Sequence, residues 1–168
     1  MKTNPYICAL LIAFVPVKAA DTLPVEAANL LTVIGLKLEE PLPGFRVQIL
    51  RISPDTFVDP PPQLDSFEGL AAFSLTFQPA RHRKQIAAVI EEARKSKWQP
   101  MPYPGYPRWC IRFIRPWNEI LGALGIDDEN YAILVGDKWY KVDEKIVRSL
   151  TSELLRSVLE TETKTQRQ

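Results

Sequence analysis

The chain has 168 residues, 46% of them hydrophobic and 24% charged, with a formal net charge of +1. That apolar fraction excludes a disordered chain, and the length suits one domain of the common ~150-residue size with a sizeable buried core. Fifteen prolines against seven glycines predict stiff connections, while one histidine and two cysteines leave little for His- or Cys-based catalysis and metal binding.

Residues 1–19 read MKTNPYICALLIAFVPVKA: Lys2, an apolar run over 6–17, then Val17 and Ala19 at the −3 and −1 positions of a cleavage site. This order predicts a signal peptide and a protein exported to the periplasm or secreted, with Ala20 as its mature start. The apolar run falls well short of the ~20 residues a bilayer span needs, so no stable membrane span is expected. The competing reading is a buried N-terminal strand in an intracellular protein. Removing residues 1–19 leaves Cys110 as the only thiol. It is then either buried and inert or the link of a homodimer.

Within the expected domain, residues 20–160, residues 24–34 read as a helix stopped by Gly35, or as a strand from Leu30. Residues 44–53 alternate as a strand, and residues 54–63 form a stiff loop holding four prolines. A strand over 70–77 places Phe73, Leu75 and Phe77 on one side. Residues 80–97 carry Ile86, Val89, Ile90 and Ala93 at helical spacing, which predicts an amphipathic helix starting with Arg81, His82, Arg83 and Lys84. Residues 98–109, with prolines at 100, 102, 104 and 107, read as a polyproline-like connector.

Strands follow at 108–115, 119–126, 131–135 and 139–142. The first has Trp109, Ile111 and Phe113 inward and Arg108, Cys110 and Arg112 outward. Residues 127–130 read as a solvated turn, and Gly136-Asp137 as a two-residue hairpin turn. Asp143 caps a last helix running to about Glu160, with Ile146, Val147, Leu150, Leu154 and Val158 on one side. Residues 161–168 read as a frayed, disordered tail. The expected fold is α+β: an antiparallel β-meander of about four to six strands with two amphipathic helices packed on one face.

Charge is segregated. Residues 20–80 carry 3 basic and 8 acidic groups, residues 81–116 carry 9 and 2, and residues 117–168 carry 7 and 10. The basic middle third predicts a binding surface built from Arg81, His82, Arg83, Lys84, Tyr103, Tyr106, Arg108 and Arg112. Its partner would be a protein or an anionic envelope polymer. The bland reading has Asp55, Asp59, Asp65 and Glu68 folding back to neutralise the cluster. Near-zero net charge and the leader argue against nucleic acid. No metal, phosphate or nucleophile motif occurs, so neither a cofactor nor a metal site is expected. The only dyad the composition permits is Cys110 with His82. The reading is an exported, non-catalytic binding protein. Its alternatives are an intracellular nucleic-acid- or protein-binding module and a Cys110/His82 enzyme.

Overall fold

The computed structural model describes residues 23–39, 44–102 and 104–165; the leader expected over residues 1–19 lies outside them. Seven antiparallel strands form one sheet: β1 (Arg46–Arg51), β2 (Phe73–Phe77), β3 (Gln99–Pro100), β4 (Trp109–Ile114), β5 (Ile120–Asp127), β6 (Ala132–Val135) and β7 (Lys138–Lys141). Their order is β2-β1-β4-β5-β6-β7-β3, and β4 to β7 make a meander. Three helices complete an α+β fold: α1 (Val25–Glu39), α2 (Arg83–Lys95), and a last helix formed by α3 (Glu144–Arg148), a π turn (Ser149–Glu153) and α4 (Leu154–Thr165).

The expected class holds, with more elements than the sequence pattern suggests. The seventh strand comes from the proline connector: Gln99 and Pro100 are held extended and pair with Lys141 and Tyr140 of β7. Proline tolerates an edge position because it has no N–H to donate to a further neighbour. The third helix is α1, which settles the helix-or-strand ambiguity and continues through Gly35, so that glycine does not stop it. The last helix runs to Thr165, past the end set by composition, so residues 161–165 are helical where a frayed tail is expected. Gly136 has φ 63° and Val135 pairs with Lys138, which is the two-residue hairpin the Gly-Asp pair predicts.

The two sides of the sheet differ. Val47, Ile49, Phe77, Ile111, Ile126 and Ile133 face the helices, where Leu31, Ile86, Ile90, Ile146, Val147, Leu150, Leu154 and Val158 close a continuous apolar core. Full burial of each large aliphatic side chain contributes about 1.5–3 kcal/mol, so this layer dominates stability. The other side is covered by irregular chain between β1 and β2. There Phe67 and Ile52 pack on Leu50 and Cys110, with Leu64, Leu70 and Ala123 around them. Every residue of β4 is therefore buried, and the outward placement expected for Cys110 and Arg112 does not occur. A strand covered on both faces carries no visible period-two signal of exposure.

Candidate functional site

The Arg81–Lys84 cluster is split by the backbone. Pro79–His82 form a 3-10 turn and the α-helix begins only at Arg83. His82 sits at the junction with its ring fully buried and edge-on to Phe77, 5.1 Å between centroids. It is a packing residue, in contrast to its expected place on the binding surface. Arg81, Arg83 and Lys84 remain exposed. Glu68, one of the acids expected to neutralise them, is turned instead toward Arg112.

Arg112 is 3% exposed and holds the loop on the sheet. Its Nη2 donates to the carbonyls of Leu64 at 2.5 Å and Asp65 at 2.9 Å, and its Nη1 meets Glu68 at 3.2 Å. Five fixed donors suit a guanidinium to this task, because loop carbonyls lying over a sheet otherwise lack partners. Arg112 is therefore not available to a ligand. Arg108 is half-buried and serves a similar end: its guanidinium lies 4.6 Å over the Tyr106 ring and donates to Thr56 O at 2.6 Å. Tyr106 in turn accepts from Val58 N at 2.7 Å and stacks on Phe57. Tyr103 lies outside the described residues.

Asp127, expected in a solvated turn, is 2% exposed. Its carboxylate accepts from Tyr106 N and from the Asn130 amide and backbone, tying the connector to the β5–β6 turn. Cys110 is fully buried, and burial pushes its thiol up to about 11. It lies on the loop side of the sheet, whereas His82 packs with Phe77 on the helix side. The Cys110–His82 dyad and a Cys110 link between native copies are both ruled out by this placement.

The exposed and half-buried cations instead gather by strand end. Antiparallel register puts Arg46 beside Ile114, and Phe77 one residue further along, opposite Val47. The start of β1, the end of β4 and the chain entering α2 thus share one end of the sheet. That end carries Arg46, Arg81, Arg83, Lys84 and Arg115. Between β4 and β5, on the turn Pro116–Asn118, stands Trp117, 98% exposed. Trp117 and Asn118 both have left-handed backbones, φ 71° and 63°, a conformation that costs of order 1–3 kcal/mol per non-glycine residue. The turn is held by Arg115 N donating to Glu119 O at 2.8 Å and by Arg46 donating to Asn118 Oδ1. Glu119 also pairs with Arg115. In sequence Trp117 is one of the aromatics interleaved with the basic residues but is left out of the expected binding surface, because Pro116 marks a break; a tryptophan in a turn with no apolar partner at period two is the available signal.

A second feature lies on the loop side, where a cleft of about 630 Å³ opens between residues 61–65 and the connector 104–107. A third, of about 600 Å³, lies against the π turn. Beside it Arg51 stacks on Trp109 at 4.7 Å while Trp109 Nε1 donates to Asp128. Arg148 is paired with Glu144, so charge there is balanced.

No family model, curated protein or solved structure matches this chain. Its function has to be read from its own surfaces. Among the described residues no three His, Cys, Asp or Glu side chains gather as a metal site, and no helix is long and apolar enough to cross a membrane.

Proposed function

We propose that the chain is an exported, non-catalytic binding domain that meets an anionic envelope partner at the basic end of its sheet. The observation that carries this is Trp117, almost wholly exposed on a strained turn beside Arg46 and Arg115 and on the same sheet end as Arg81, Arg83 and Lys84. A buried indole and arginine are the side chains that most often dominate binding energy at an interface. A partner that covers Trp117 and supplies negative charge gains from both at once. Strands stand ~4.8 Å apart, so cations spread over neighbouring strand ends lie near the ~8 Å screening length and act together on a polyanion. The leader pattern of residues 1–19 supports placing that partner outside the cytoplasm.

Heparin-agarose is the probe for this reading. The purified protein is expected to be retained at low salt, to elute earlier as Arg83→Glu/Lys84→Glu, and earlier still with Trp117→Ala added. Passage of the unaltered protein through the column at low salt, or identical elution of all three, would overturn it.

A further inference from the structure

The loop side of the sheet is covered from two directions that meet at Phe57, Val58 and Tyr106 and part over β6 and β7. From one side, residues 52–72 lie over β1, β4 and β5, with Leu64 seated against Gly125. From the other, the connector lies on β7 so closely that a Cβ at Gly105 would stand 2.8 Å from the Trp139 ring and 2.9 Å from the Asp127 carboxylate. Between them the half-buried side chains of Leu134 and Trp139, neighbours in the β6–β7 register, are left as the floor of the 630 Å³ cleft.

The walls are Pro61 and Pro62 on one side and Pro104 and Pro107 on the other. Prolines contribute carbonyl acceptors and no N–H donors, so these walls accept hydrogen bonds from a ligand and offer few in return. Their fixed φ also means little wall entropy is lost on binding. The charged groups lining the cleft are Asp65 and Asp137, and no basic residue is among its lining. Lys138, adjacent in sequence, projects to the opposite face of β7 and pairs with Glu26 at 2.6 Å.

We infer that this cleft is a binding site for an extended peptide that inserts a lysine or arginine side chain. The apolar stem lies along Trp139 and Leu134, the cation sits by the indole face, and its N–H groups reach Asp65 and Asp137. An indole face attracts a cation within about 6 Å of its centroid. Carboxylates supply the charge-assisted hydrogen bonds that a buried cation needs. An acidic side chain meets two like charges here, Asp65 and Asp137. This site takes the charge opposite to that sought at the Trp117 end, and it shares no residue with that end, so each stands or fails separately.

The test titrates 15N-labelled protein with the blocked peptide Ala-Pro-Arg-Pro-Ala and with its glutamate counterpart, Ala-Pro-Glu-Pro-Ala. The expected result is saturable shifts of the Trp139 indole N–H and the Gly105 and Gly136 amides with the arginine peptide only. Asp65→Asn/Asp137→Asn should weaken binding at least about tenfold, the scale of one lost charge-assisted contact, with the remaining spectrum unchanged. Arg83→Glu/Lys84→Glu should leave binding as it was. No saturable shift, equal shifts with both peptides, or full binding to the Asp65→Asn/Asp137→Asn protein would overturn the inference.

Discussion

The helix side and the loop side of this sheet solve the same burial problem by different means. On the helix side, apolar stripes from three helices meet apolar strand residues, and the buried polar side chains there, His82, Ser149 and Thr151, come from the helical elements and their starts. On the loop side the cover is irregular chain, whose backbone groups need partners that neighbouring strands cannot give. Arg112 and Asp127 supply those partners from beneath, Arg112 to the Leu64 and Asp65 carbonyls and Asp127 to Tyr106 N, while Gln48 Nε2 donates to the Glu68 carboxylate at 3.3 Å. A helix brings its own hydrogen bonds to the core, whereas a loop has to be met by buried side chains. The helix side is therefore closed over Ile49, Ile111 and Ile126, and the loop side keeps a gap over Leu134 and Trp139.

The contrast is sharpest in substitutions of buried residues on each side. Ile133→Ala on the helix side, at a fully buried position, should cost about 2–5 kcal/mol and lower the denaturant midpoint without changing its slope. Arg112→Met on the loop side should cost about 2 kcal/mol, because it orphans the Leu64 and Asp65 carbonyls while keeping much of the side-chain volume. Its signature is local: hydrogen exchange should quicken over residues 64–70 before it does in α2. Equal global destabilisation with no local loosening would erase the distinction between the two covers.

Cys110 reports on the loop cover without a substitution. Its thiol, raised to about 11, should resist Ellman's reagent in the native protein at pH 8 and react fully in urea. Because the folded state holds the proton more tightly than the unfolded chain does, this contribution to stability is complete below the free-thiol pKa of about 8.5 and is lost as pH rises toward 11. Thermal midpoints should fall over that alkaline window. The smallest effect belongs to the tip outside both covers: Trp117→Ala should change stability by no more than about 0.5 kcal/mol, measured by urea unfolding, since the indole packs on nothing.

The same contrast explains what the sequence made legible. Ile86, Ile90 and Ala93 at helical spacing and Phe73, Leu75 and Phe77 in alternation marked elements correctly because each has one wet side. Residues 54–70 carry no period, so nothing announced that they would cover Cys110 and Arg112 and turn two expected surface groups into buried ones. His82 was misplaced for a related reason: Pro79 starts a 3-10 turn, which rotates the next side chains off the α-helical phase. The basic run was visible, but its regrouping with Arg46 and Arg115 depends on register between strands far apart in the chain. Trp117 stands out in sequence only as one aromatic among several, because the turn it occupies has no period that would separate an exposed ring from a buried one.

The π turn in the last helix bears on how that helix keeps time with the sheet. Ile146, Leu150, Leu154 and Val158 recur every four residues, and each such step overshoots a full α-helical turn by about 40°. Three steps would carry Val158 well around the helix from Ile146, yet both are essentially inaccessible to solvent. The wider π turn at Ser149–Glu153 lags where the α-helix leads, and so resets the phase midway. Deleting one residue there, such as Ser152, would leave eleven α-helical steps between Ile146 and Val158, about 20° past three full turns, so the π turn acts as a one-residue insertion whose removal keeps Leu154 and Val158 on the core.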